Sequence, residues 1–420
     1  MVMIRFRNIK ILNKIFNREF NFKIIWPIVL PAISLCIFGL VLLRSTSFDS
    51  IGSSTNYITF YNQLQWMGIG LVVFIFMQFI RLKILNEYAY HLYIFLIISL
   101  IITYFMPERG GSSRWIEMGP FSFQPSEFGK IILVCALAKF LSDRKDNKDQ
   151  FITIILSLII GLIPALLVFA QPDLGTALIY LAVIFPMLYW IGLRPFYLFL
   201  FIAPIISMIS SYSIETFSFW MLILVFILFY SQPTIFQATV VFIINTCSGL
   251  LAIVVYDNLY PHQQDRLLTL LDPMRDRFGS GYQVFQSIIS IGSGGISGKG
   301  FNQGTQSHLQ YLPEKSTDFI IAVAGEEFGL IGISFILLMF GIFTYWVTEY
   351  LNKFNNDFSS LSLVGLFTIL YVHLIVNMGM TVGLFPVTGL PAPFLSYGGT
   401  FFITCALILS IINNNITNNI

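Results

Sequence analysis

Charge is what this sequence has least of. Only 10% of its 420 residues are Asp, Glu, Lys or Arg, while 56% are hydrophobic; a soluble domain carries about 25% charged residues. A chain so poor in charge has little solvated surface to cover, which excludes an ordinary soluble globular fold. Its formal net charge of +2 leaves no basic surplus to grip a phosphate backbone, so nucleic acid is excluded as a partner. Cysteine is scarce too. Cys36, Cys135, Cys247 and Cys405 all fall inside apolar runs, none is spaced for a metal and no pair shares an exposed loop, so they read as buried small hydrophobes. His91, His262, His308 and His373 are scattered and form no metal-binding cluster. The glycine-rich run from Gly292 to Gly300 has neither nucleotide-binding spacing, and no internal repeat stands out. The N-terminal segment does not read as a cleavable leader. The basic residues Arg5, Arg7, Lys10, Lys14, Arg18 and Lys23 precede an apolar run to about Leu43, which is too long for a signal-peptide core and has no small-residue cleavage site after it. It reads as an uncleaved first span.

What the chain does have is phenylalanine, 43 residues of it, and long apolar runs. A helix needs about 20 mostly apolar residues to cross a bilayer. Runs of that kind lie near 25–43, 64–81, 89–106, 128–141, 151–170, 174–192, 196–212, 217–231, 235–256, 319–348, 361–384 and 399–414. The fourth is short and the eighth marginal. The fold class is therefore an all-α, polytopic transmembrane helical bundle of about 10–12 spans, with a long extracytoplasmic loop. The expected organisation is a basic cytoplasmic N-terminus (1–24), N-terminal transmembrane helices (25–256), the long loop (257–317), C-terminal transmembrane helices (318–414) and a cytoplasmic tail (415–420). The Asn-rich run from Asn413 to Asn419 reads as a short disordered end.

If the spans alternate, the N-terminus, Arg81 with Lys83, the run Ser142-Asp-Arg-Lys-Asp-Asn-Lys-Asp149, Arg194 and Lys353 share one side, which the bias of short basic loops makes cytoplasmic. The outward side then receives most of the polar residues that spanning does not explain. Glu127 and Lys130 share a helix face and can pair, and Pro125-Ser126-Glu127 has the form of a helix start, so capping competes with function for Glu127. Trp115 suits the interface. Arg114 and Lys130 are two cations suited to a phosphate-bearing lipid. Gln171-Pro-Asp173 reads as a turn, with a place in the wall of a polar cavity as the alternative for Asp173. The glycine-rich run ending in Lys299 and Gly300 reads either as compact backbone near a lipid headgroup or as flexible loop. Asp318 stands at the mouth of a span, with Glu326 and Glu327 two turns deeper. A carboxylate partly withdrawn from water gains proton affinity, as a general base requires, but a residue so placed also makes an N-cap.

These residues resemble the shape, elongation, division and sporulation family. The segments that carry the resemblance are Gly111-Ser-Ser-Arg-Trp-Ile116, Phe123-Gln-Pro-Ser-Glu127, Gln171-Pro-Asp-Leu-Gly-Thr176, Leu271-Asp-Pro273, Gly281-Tyr-Gln-Val-Phe-Gln-Ser287, Gly304-Thr-Gln-Ser-His308, Leu312-Pro-Glu314, Thr317-Asp-Phe-Ile320, Asn377-Met-Gly-Met380, and Gly383 through Pro391 to Ser396-Tyr-Gly-Gly399. The Gly-Thr-Gln-Ser-His run favours the elongation branch over a division-type paralogue. The resemblance implies a peptidoglycan glycosyltransferase that polymerises lipid II at the outer face of the cytoplasmic membrane beside a class B penicillin-binding protein. It maps the essential aspartate onto Asp318, as the base for an inverting transfer. It implies substrate contacts at Arg114, Trp115, Glu127, Lys130, Lys299, Gln306 and Ser396, with a divalent cation as a candidate aid at the leaving diphosphate. Two departures stand out. Ser316 replaces the family's usual histidine, and residues 195–256 hold three apolar runs where one is usual. The rival readings are a flippase or other transporter of lipid-linked precursor, for which inverted repeats would speak, and a non-enzymatic scaffold.

Overall fold

The computed structural model describes residues 23–47, 57–107, 114–118, 121–144, 150–257, 281–309, 311–354 and 356–419. The basic residues up to Arg18, the start of the Gly111 motif, the end of the Ser142–Asp149 run, and Leu271-Asp-Pro273 with the charged residues around it lie outside the described residues.

Each of the twelve apolar runs becomes helix. In chain order the described elements are α1 (Trp26–Thr46), α2 (Ile58–Gln78), α3 (Leu82–Glu87), α4 (Ala89–Thr103), β1 (Ile116–Met118), β2 (Phe121–Phe123), α5 (Pro125–Asp143), α6 (Gln150–Phe169), α7 (Leu174–Ala182), α8 (Ile184–Trp190), α9 (Pro195–Ser210), α10 (Ile214–Ser231), α11 (Ile235–Asp257), α12 (Tyr282–Gly294), α13 (Thr305–His308), α14 (Ile320–Leu351), α15 (Asp357–Thr381) and α16 (Gly399–Asn419). Eight of these helices are long and apolar enough to cross a membrane, and three shorter apolar stretches join them. The run near 128–141 looks short in sequence because Glu127, Lys130, Lys139 and Asp143 interrupt its ends; as α5 it is a 19-residue helix. Pro stands in the first turn of α1, α5 and α9, where its missing N–H costs nothing. Asp173, Ser213 and Asn356 cap α7, α10 and α15. The β1–β2 pair is a short antiparallel hairpin, Ile116 opposite Phe123, leading into α5.

The centre of the bundle is α15, packed on α5 and α8, with α16 lying along α2 and α1 along α14. Small residues permit the closest approaches. A Cβ at Gly39 of α1 would lie 2.7 Å from the backbone oxygen of Leu395, so this glycine lets α1 touch the loop that follows α15. Three expectations need correction. The stretch 257–317 is not all loop: α12 and α13 lie within it. Cys247 is exposed on the outer side of α11, unlike Cys135 and Cys405. In a bilayer that side meets lipid, so an apolar position there need not be buried.

The third correction concerns the Asn-rich end, which is the last turns of α16. Asn413 donates to Lys23 O (3.1 Å) and Gln78 Oε1 (2.8 Å) and accepts from Ile25 N (2.8 Å). Asn414 donates to Met77 O and Ile80 O, and Asn415 to Ser359 O. Amide side chains are needed here because the ends of α1, α2 and α15 converge with unpaired backbone groups. Asn413→Ala would orphan Ile25 N and Gln78 Oε1, while Lys23 O keeps Thr417 Oγ1, and we expect it to lower unfolding free energy by about 1–3 kcal/mol, read by thermal unfolding in detergent.

The three helices α9–α11 form a satellite. Ala203, Leu224, Leu228 and Val241 make a small core separate from the main one. Ser207 donates to Asn245 Oδ1 (2.7 Å) and accepts from Trp220 Nε1 (2.7 Å), which satisfies the polar groups between them. Of the three, α9 is the one that packs on α8 of the main bundle.

Candidate active site

Asp318 ends a tight turn. Thr317 N and Phe319 N both donate to Glu314 O at 3.2 Å, and Glu314 itself takes a positive φ of 48°. Helix α14 then begins at Ile320 with Phe319 as its N-cap and no side-chain cap bond. Asp318 is therefore not a helix cap. Among the described residues no hydrogen bond reaches its carboxylate, whereas its backbone oxygen accepts from Asn377 Nδ2 at 2.8 Å. Burial pushes the carboxyl up to about 6, and the nearby Glu314 charge adds to the effect. The turn is also held from the other side. Ser396 Oγ donates to Thr317 O (2.6 Å) and accepts from Ala392 N (2.8 Å), and Tyr397 N donates to Ser316 O (2.9 Å). The loop between α15 and α16 thus clamps residues 316–318. Its Gly389, at φ 69°, passes so close that an added methyl would lie 3.6 Å from Asp318 Oδ2.

That loop is itself fixed by α15. Asn377 Nδ2 reaches Leu390 O (2.7 Å) besides Asp318 O, so one amide ties loop and turn together. One turn earlier, His373 Nδ1 lies 3.2 Å from Pro391 O, and its Nε2 lies 3.0 Å from Lys130 Nζ. An ammonium only donates, so Nε2 accepts and Nδ1 carries the proton given to Pro391 O. Lys130 also binds Glu127 Oε1 at 2.8 Å. Both are buried, and Glu127 Oε2 is left without a partner among the described residues. The expected Glu127–Lys130 pairing and the helix start at Pro125 are both present. Lys130 is nevertheless enclosed between Glu127, His373 and the Phe401 ring rather than displayed as a free cation.

The remaining predicted residues divide between two further clusters. Arg114 donates to Gln171 O (2.9 Å) and to Pro172 O, and its guanidinium lies 3.7 Å from Asp173. It ties the segment before the hairpin to the α6–α7 turn, with Trp115 half-buried beside it. Gln171-Pro-Asp173 is a turn, as its composition suggests, and Asp173 caps α7 through Thr176 N. Lys299 binds Glu326 Oε1 (2.8 Å) and Gln306 N donates to the same oxygen (2.8 Å). Ser396, at 2% exposure, works on backbone rather than facing a cavity. Of the eight predicted site residues, the structure thus brings Ser396 onto the turn that carries Asp318, through Thr317 O, and links Lys130 and Glu127 to the facing loop through His373. Sequence reading left out His373 as scattered and gave Asn377 no role. The signal available was their i, i+4 spacing inside an otherwise apolar span, where polar groups are expensive.

Among the described residues the donors present do not make a site for a resident divalent cation. No three His, Cys, Asp or Glu side chains converge among the described residues, and Glu127 and Glu326 each already hold a lysine.

A family model described as "Cell cycle protein", covering FtsW, RodA and SpoVE, matches residues 26–221 and 197–419. The two stretches overlap at residues 197–221, in α9 and the start of α10. Peptidoglycan glycosyltransferase MrdB of Escherichia coli K12 is 32% identical over 380 residues, covering 89% of this chain and 88% of the relative. Peptidoglycan glycosyltransferase RodA of Treponema pallidum is 28% identical, covering 91% and 96%. A solved structure described as the structural coordination of polymerization and crosslinking by a peptidoglycan synthase complex superposes with a TM-score of 0.70 at 28% identity, covering 95% of this chain and 99% of that one. The rod shape determining protein RodA of Thermus thermophilus shares the fold, with a TM-score of 0.61 at 23% identity. On these matches and the fold they share, the chain belongs to the FtsW, RodA and SpoVE family of multi-pass membrane proteins.

Proposed function

We propose that this chain is an elongation-type peptidoglycan glycosyltransferase that polymerises lipid II, with Asp318 as its general base. The curated relatives carry that activity in their names. The observation that supports the base assignment is a carboxylate raised to about 6, without a donor among the described residues and held by its backbone at the mouth of α14. A base near neutrality is ionised at working pH yet still basic enough to take a proton.

In this reading the 4-hydroxyl of the acceptor GlcNAc attacks the anomeric carbon of the donor. Asp318 takes the hydroxyl proton as the new C–O bond forms. The bond from the anomeric carbon to the diphosphate oxygen breaks, undecaprenyl diphosphate leaves, and the configuration at that carbon inverts. Gly389 presents no side chain beside Oδ2, where a Cβ would lie 3.6 Å away. Arg114, with its side chain 28% exposed, is better placed than Lys130 to meet the leaving diphosphate. Lys130 acts through His373 and Pro391, holding the loop that faces Asp318.

The active site faces outward across the cytoplasmic, inner membrane, a placement supported by the basic short loops of the opposite side. A class B penicillin-binding protein is the proposed partner, in keeping with the synthase complex among the similar structures. The test is purified protein in liposomes with lipid II, with and without the transpeptidase partner and a divalent cation. Glycan strands formed without a membrane gradient support polymerisation. Movement of lipid II between leaflets with no strands would identify a transporter.

A further inference from the structure

Helix α14 is two helices. Gly329 takes φ 63° and ψ −153°, so the helix breaks there and leaves backbone groups unpaired within a membrane span. Residues 295–300 fill the break. Lys299 N and Gly300 N donate to Glu326 O and Glu327 O (3.0 Å each), while Leu330 N and Ile331 N donate to Gly295 O (2.9 Å) and Ile296 O (3.2 Å). Gly294, Gly298 and Gly329 stand where the two backbones meet, and a Cβ on any of them would strike the other strand. The outer piece of α14, residues 320–328, is thus joined to α12 and α13 as one body, and Asp318 stands two residues before its start.

The two side chains at the break lock that body. Glu326 is fully buried and accepts from three consecutive amides at the start of α13: Thr305 (2.7 Å), Gln306 (2.8 Å) and Ser307 (3.1 Å). It also accepts from Ser307 Oγ (3.0 Å), Thr305 Oγ1 (3.1 Å), Ser290 Oγ (3.2 Å) and Lys299 Nζ (2.8 Å). Glu327 reaches the other way, to His308 Nε2 (3.1 Å) and to Ser45 of α1.

We propose that Glu326 and Lys299 are positioning residues of the transfer reaction. By pinning residues 299–307 across the break they set the direction of the outer half-helix, and hence where the Asp318 carboxylate meets the acceptor hydroxyl. The proposal rests on Asp318 being the base. It assigns Lys299 to Glu326 rather than to the substrate's diphosphate.

The variants are Glu326→Gln, Lys299→Met and the double replacement, measured with lipid II in liposomes beside Asp318→Asn. Displacing a reacting group by about 1 Å can cost about 100-fold. Glu326→Gln is therefore expected to lower kcat by about 10- to 100-fold with KM unchanged and the acid limb of the pH profile still centred near the wild-type value. Lys299→Met should lower kcat less, and the double variant should be no slower than Glu326→Gln. Lys299 is partly exposed, so this variant remains informative if Glu326→Gln does not fold. A folded Glu326→Gln within twofold of wild type overturns the proposal. A raised KM at unchanged kcat in Lys299→Met does so too, as do multiplying effects in the double variant. If Asp318→Asn polymerises normally, the base assignment itself fails, which is a separate result from any of these.

Discussion

Asparagine in place of Asp318 is expected to stop glycan polymerisation while leaving the protein folded. The substitution keeps the size of the side chain and removes the one group able to accept the proton, a contribution of about 10²–10⁴-fold in general-base catalysis. Nothing structural is lost with it, because no described residue donates to the carboxylate and the turn is held through backbone oxygens. The pH dependence follows from the same shift. The base works only when ionised, so kcat/KM of the wild type should fall about tenfold per unit as pH drops below about 6. Stability runs the opposite way. The folded state holds this proton more tightly than the unfolded chain, so this group's contribution declines as pH rises from about 4 to about 6 and stays lost above that. Asp318→Asn should abolish that decline and, at neutral pH, melt no lower than wild type. A variant that melts well below wild type would mean that Asp318 holds the fold instead.

Much of the fold was legible because the bilayer imposes a single pattern. Twelve apolar runs became helices, and the interior of each needed no more than length and composition. The misreadings share a cause: polar residues were judged by their composition, without the backbone they serve. The Asn413–Asn415 run looks like a disordered tail until the open ends of three helices are set beside it. Asp318 has the position of an N-cap, but the turn set by Glu314 moves the helix start past it. Lys130 has the look of a cation awaiting phosphate, but it is enclosed by Glu127 and by His373, a partner distant in sequence. The break in α14 was invisible for a related reason. A lone glycine in an apolar run is ordinary, and only the donors of residues 295–300, supplied from an earlier segment, make a break affordable at membrane depth. Proximity to Asp318 could be inferred for the Ser396 loop from the family likeness, but the amide of Asn377 that joins them required the structure.

The largest expected loss of stability follows from Lys130→Met. Exposed pairs such as Lys139–Asp143 and Lys353–Glu349 contribute about 0.3–0.5 kcal/mol each, since water solvates either partner left alone. Lys130 and Glu127 are buried, at 1% and 5% exposure, and water cannot do the same there. Removing the lysine strands a carboxylate whose second oxygen already has no partner among the described residues, and takes the donor from His373 Nε2. Breaking such a pair costs about 3–5 kcal/mol, so Lys130→Met should unfold well below wild type in detergent. Replacing both charges, as Glu127→Leu with Lys130→Met, removes the stranded ion, and stability should recover most of the way because a packed apolar pair can match a buried ionic one. Activity should not recover with it. His373 would lose the donor that fixes its tautomer, and with it the bond to Pro391 that sets the loop against Asp318. A double variant that is stable and still polymerises at the wild-type rate would show that the buried pair serves the fold alone. A stable but slow one would place Glu127 and Lys130 in the chain that holds the acceptor side of the site.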